Sequence, residues 1–214
     1  MVTELKGDGL LDSTLIIVTA KHGQSPIDTH KLFEPSTTPA TLLAGTGLLP
    51  DSEVNGIGPT EDDISLLWIL DADSNLSTAI STLEANAGPN QANPNAPPGA
   101  AISEIFYGPS LDTMFNLPPP YGTDSRTPDI IVQPNVGVIY STSSKKQAEH
   151  GGFAHDDTNV VMLASNPQIN EKTVTSAVET TQVAPTILWA LGLDPNKLEG
   201  VQKEGTPTLP GIGF

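Results

Sequence analysis

Residues 14–24 read Thr-Leu-Ile-Ile-Val-Thr-Ala-Lys-His-Gly-Gln. The run at 14–20 is continuously apolar or β-branched and of strand length. That pattern suits a strand buried on both faces, as in a parallel sheet. Lys21, His22, Gly23 and Gln24 follow it directly, at the strand exit where open α/β sheets place their ligands. A second buried-type run, NVVMLAS at 159–165, follows the segment EHGGFAHDDTN. A third, ISLLWIL at 64–70, leads into a helical pattern over 76–87. Ser74 or Asn75 can cap that helix, and Leu76, Ala79, Ile80 and Leu83 fall on one face. These βα patterns predict an α/β fold with a mostly parallel sheet and helices on both faces.

The remaining chain fills in around this frame. Residues 2–6 read as the last turns of a helix stopped by Gly7 and Gly9, which leads us to expect further residues upstream. Residues 34–63 are loop-like, and 88–99 form a Pro/Asn/Gly linker. Residues 102–107 form a short strand, and 129–133 and 137–142 a hairpin about Pro134-Asn135. A helix over 182–191 has Thr181 as cap, Pro185 in its first turn and Gly192 at its end. The Pro/Gly-rich tail from Asp194 is expected to wrap the surface. The chain is read as one domain over 1–214, with 34–125 as a cap or insert region.

Composition narrows the function. The chain has 214 residues and a formal charge of -16, which disfavours a nucleic-acid-binding surface because phosphate backbones need a basic patch. An acidic protein can still handle phosphate esters where bound cations invert the local field. Cysteine is absent, so disulfides, thiolate metal sites and a Cys nucleophile are excluded. No apolar run approaches about 18 residues, so no membrane span is expected. The start MVTELKGDG is too polar for a signal peptide. A chain rich in Asn, Thr and Pro leans toward secretion, but compartment is not fixed by it.

The chemistry-bearing residues cluster in two places. His22 ends the first buried strand, while His150 and His155 bracket the loop before the last one. Imidazole suits Zn, Fe, Mn and Ni, and neighbouring glycines let backbone and ligand approach closely. Asp156 and Asp157 are either ligands or acceptors that orient a ligating His. On spacing alone the signal is weak, because a His-Gly-Gly turn is more often a plain loop than a metal site. Gln24 and Ser25 read as turn residues with some capacity to donate to an anion. Arg126 reads as the surface partner of Asp124 or Asp129, or as an anion site.

Three segments occur in the order seen in the alkaline phosphatase superfamily. TLIIVTAKHGQSP resembles its strand followed by Asp-His-Gly. EHGGFAHDDTNVVMLAS resembles its later metal-binding His-Gly segment, and VAPTILWALGL its closing Ala-Pro-Thr-Ile-Leu helix. RTPDIIVQP and EGTPTLPG are similar to segments of the type I phosphodiesterase/nucleotide pyrophosphatase branch. The resemblance runs from about residue 10 to residue 210 and implies the C-terminal portion of an alkaline-phosphatase-like fold, an incomplete fragment. It implies one or two divalent ions, Zn or alternatively Mn, with His22 and His150 each binding one ion and His155 as a further candidate. It also implies a phosphate-ester substrate.

Two departures qualify this. The family has Asp directly before the first His, where this chain has Lys21, and an ammonium has no lone pair for a metal. Lys21 either weakens that ion site, contacts phosphate itself, or points to solvent. The family's Thr or Ser nucleophile belongs to an N-terminal half with no counterpart here, so no catalytic residue is assigned. The isolated chain is therefore expected to be inactive, and to self-associate or pair with such a half. The alternative is a degenerate or truncated relative acting as a binding module. A sulfate, phosphonate or monoester substrate is a third reading.

Overall fold

The structure is a computed structural model that describes residues 1–28, 38–50, 58–88, 100–115, 124–140 and 145–212. In chain order the elements are α1 (Val2–Gly7), β1 (Ile16–Val18), β2 (Ser25–Pro26), α2 (Pro39–Ala44), β3 (Thr60–Glu61), β4 (Ser65–Leu67), α3 (Ala72–Ala85), β5 (Ile102–Tyr107), α4 (Pro109–Met114), β6 (Ile130–Pro134), β7 (Ala148–Glu149), α5 (His155–Thr158), β8 (Leu163–Ser165), α6 (Val183–Ala190) and α7 (Glu199–Glu204). The expected α/β class holds. The strand direction differs from expectation, because every described ladder is antiparallel. Apolar, β-branched runs report burial on a pleated surface, and that property is shared by both directions of pairing.

The chain divides into two compact units, residues 1–21 with 160–214, and residues 22–159. The larger unit is built on a four-stranded sheet of order β3-β4-β6-β5. Its centre is β6, where Ile130, Ile131 and Val132 are all buried. Consecutive side chains alternate faces, so three in a row buried means that both faces are covered there. On one face Ile130 and Val132 join Leu67, Leu43, Ala79, Ile80 and Leu83 in the main core. This is the face of α3 expected from the sequence, although the helix starts earlier, at Ala72. Asp71 enters it at φ 47 without a side-chain cap. Helix α2 lies in the stretch expected to be loop: Thr38 accepts from Thr41 N as N-cap and Pro39 opens the first turn. The expected hairpin about Pro134-Asn135 does not form; β6 pairs with β4 and β5 instead. Residues 137–140 are not a strand, and 141–142 lie outside the described residues, as does most of the 88–99 linker.

The opposite face of that sheet positions the candidate site. Phe106 and Ile131 are cross-strand partners, and Phe106 meets Phe153 edge-to-face at 5.5 Å. Gln133, two residues along the same face, accepts from the Phe153 backbone N at 2.8 Å. The loop carrying His150 and His155 is thereby docked on the sheet.

In the smaller unit β1 pairs with β8, Ile16 opposite Ser165 and Val18 opposite Leu163. The long buried strands expected at 14–20 and 159–165 are each reduced to a short strand, and Val18 and Leu163 are exposed. Helix α6 follows a 3-10 turn at Thr180–Gln182 with a capping box between Glu179 and Gln182. Thr186, fully buried, donates to Gln182 O at 2.6 Å and accepts from Leu209 N at 2.7 Å. These bonds tie the tail to α6, and the tail itself carries α7.

Candidate active site

The segments after β1 and before α5 meet through backbone geometry. The β2·β7 ladder sets Ser25 opposite Glu149, and Gly23 N donates to Asp157 O at 2.7 Å. A side chain on Gly23 would overlap the Asp156 carbonyl, so only glycine permits this approach. Ser25 Oγ donates to Asp157 Oδ2 at 2.8 Å, which makes Ser25 a locking residue of the loop. Its side chain is thus engaged within the protein.

This locking stacks the imidazoles of His22 and His150, with centroids 3.8 Å apart and planes 24° from parallel. His22 Nδ1 lies 2.7 Å from the Gly23 carbonyl. With Nδ1 as donor, Nε2 keeps the in-plane lone pair that a ligand needs. Beside His150, Glu149 accepts from the His150 backbone N at 3.3 Å, and its Oε1 stands 3.9 Å from His150 Nε2. The other Glu149 oxygen pairs with the Lys146 ammonium, which also takes both oxygens of Asp62, at 2.5 and 2.7 Å. Burial pushes the Glu149 carboxyl up, but the Lys146 ammonium and the His150 N–H together outweigh it and hold the group below its ordinary range.

Behind this layer lies a buried carboxyl pair that no short motif signals. Asp63 and Asp157 are each only 3 % exposed. Burial first, then a hydrogen bond and like-charge repulsion from Asp157, pushes the Asp63 carboxyl up to about 7. Among the described residues Asp63 Oδ2 and Asp157 Oδ1 have no donor. A protonated Asp63 can donate to Asp157, which relieves the repulsion between the two carboxyls. Gly152 packs against this pair, and a Cβ there would overlap Asp63 Oδ2.

The other candidates are placed less centrally. His155 is 82 % exposed, its Nδ1 3.5 Å from Asp156 Oδ1. Lys21 is exposed. Arg126 pairs bidentately with Asp124, its Nε at 2.9 Å and its NH2 group at 2.5 Å, as a surface pair. Among the described residues no three His, Asp or Glu side chains are grouped to hold an ion. The two imidazole planes lie only 24° from parallel, and in-plane lone pairs of stacked rings do not converge on a shared ion. No helix among the described residues is long and apolar enough to cross a membrane.

No family model matches this chain, and no curated protein sequence matches it. Solved structures do. Human ectonucleotide pyrophosphatase/phosphodiesterase 5 superposes with a TM-score of 0.53 at 14% identity, over 100% of this chain and 46% of that one. An inactive variant of the murine protein, in complex with AMP, gives a TM-score of 0.53 at 14% identity with the same coverage. The chain thus shares the fold of these phosphodiesterases and spans about half their length.

Proposed function

We propose that this chain forms the His-bearing part of a metal-dependent phosphate-ester hydrolase of phosphodiesterase type. The nucleophile would come from the remainder of such a fold, on the same polypeptide or as a second chain. The observation that carries the reading is the convergence of His22 and His150, remote in sequence, in one stacked pair. An anchored Nδ1 on His22 and a carboxylate beside His150 are what two divalent-ion ligands need from their surroundings. A bound Zn or Mn would act as a Lewis acid toward the ester's phosphoryl oxygens. The chain's own task is to hold the two imidazoles fixed, through Gly23, Ser25 and Asp157 on one side and the Gln133–Phe153 docking on the other. His155 is exposed enough to reach a substrate or ion at the rim, and Lys21, next to His22 in sequence, would contact the phosphate. The range 34–125 would border the substrate as a cap, in addition to building the sheet.

Isolated, the chain is expected to bind Zn or Mn and to turn over little bis-p-nitrophenyl phosphate. His22→Ala and His150→Ala should each weaken metal binding at least about tenfold. Unchanged binding in both variants would overturn the assignment, and robust turnover by the purified chain would overturn the placement of the nucleophile elsewhere. A second reading, a non-catalytic binding module, is favoured by one observation, Lys21 standing before His22. It predicts no turnover even when a complementary half is supplied.

A further inference from the structure

The geometry points to Glu149 as a direct carboxylate donor to the cation held by His150, with Lys146 as the residue that restrains it. This rests on the hydrolase reading above. His150 Nε2 and Glu149 Oε1 stand 3.9 Å apart, too far for a hydrogen bond. Metal–nitrogen and metal–carboxylate bonds are each about 2.0–2.2 Å long. Two such donors on one tetrahedral ion stand about 3.4 Å apart, so the side chains would close by about half an ångström to share an ion.

Glu149 Oε1 carries one long bond, from the His150 backbone N at 3.3 Å, and keeps a further lone pair. The other carboxylate oxygen is engaged by the Lys146 ammonium, which leaves Oε1 on the His150 side. The carboxylate is only 12 % exposed, against 44 % for the His150 side chain. It is therefore fixed, while the imidazole is open to an arriving ion. The β2·β7 ladder fixes the Glu149 backbone opposite Ser25, so the donor belongs to the same rigid segment that stacks His22 on His150. Lys146 has a double effect. It pins Glu149 in place, and its positive charge opposes a cation at the same carboxylate.

These effects separate in an experiment on the full chain. Mn binding is measured by calorimetry in excess Mg, which suppresses loose binding to an acidic surface, and the visible spectrum of the Co-loaded chain is recorded alongside. Glu149→Gln keeps the size of the side chain and its acceptor for the His150 N–H. It should weaken Mn binding about tenfold or more and alter the Co spectrum. Lys146→Gln should strengthen binding several-fold, because the carboxylate loses its competing cation. Circular dichroism confirms that both variants fold. Unchanged Mn affinity and Co spectrum in Glu149→Gln, with His150→Ala still impaired, would sink the Glu149 assignment and leave the hydrolase reading intact. Equal weakening by Lys146→Gln and Glu149→Gln would mean that the pair only holds the loop, and would also sink it. If His150→Ala binds like the parent, both this inference and the reading beneath it fail.

Discussion

Asp63 sits against Asp157 in the interior, and the pair carries a charge problem that a single proton solves. An unfolded Asp releases its proton near pH 4, whereas folded Asp63 holds it to about 7. Between those values the native state binds more protons than the unfolded state, so this pair lowers stability as pH rises through the window and adds no further change above it. Asp63→Asn replaces the shared proton with a permanent N–H donor to Asp157. The variant should be more stable than the parent at pH 8, by on the order of 1–3 kcal/mol, and not more stable below pH 4. Urea denaturation at several pH values reads this directly, and a difference between the two proteins that stayed constant with pH would refute the shared proton. Tyr140 presents a simpler case: its hydroxyl is buried with no partner among the described residues. Tyr140→Phe removes a desolvated polar atom at nearly constant shape. Thermal melting should show unchanged or higher stability, by up to about 1 kcal/mol. A clear loss would reveal a hydrogen bond that the static structure lacks.

At the scale of elements, the loops of the site depend on glycine and the tail depends on one threonine. Gly23→Ala places a methyl against the Asp156 carbonyl, and backbone cannot give way as a flexible side chain can. The expected result is loss of the His22–His150 stack while the core sheet stays folded by far-UV dichroism; metal binding at the proposed site falls with it, at least about tenfold. Thr186→Val leaves Leu209 N without its acceptor in a buried position, which should cost about 1–3 kcal/mol in chemical denaturation. These elements were unevenly legible in the sequence. The His-Gly segments could be found because strand exits and small residues are local signals. Face residues Ala79, Ile80 and Leu83 of α3 could be read from their period, but its start at Ala72 could not, since Asp71 enters with a left-handed backbone and no cap bond. Helix α2 did carry a signal, Thr38 followed by Pro39, which the low periodicity around it obscured. The direction of β1 and the meeting of Asp63 with Asp157 were not legible, because both depend on long-range pairing that no propensity records.

At the scale of the whole molecule the question is what covers the smaller unit. Among the described residues its ladder consists of β1 and β8, and the cross-strand pair Val18 and Leu163 is 47 % and 52 % exposed. Val161, Leu191 and Leu193 are more exposed still. Unpaired edges and open apolar side chains are templates for association, and the structural neighbours are about twice as long as this chain. With a charge of -16, self-repulsion opposes association at low salt and is screened as salt rises. Light scattering coupled to size-exclusion chromatography should therefore show a mass that grows with both protein concentration and salt. Val18→Lys combined with Leu163→Lys places two like charges directly opposite each other on that ladder, which disfavours a second copy more than it disturbs a solvent-facing pair. The double variant should elute closer to monomer at high salt. Association that persisted undiminished in this variant would place the contact on another surface, and a parent chain that stayed monomeric at every salt concentration would show that the open ladder is tolerated by solvent alone.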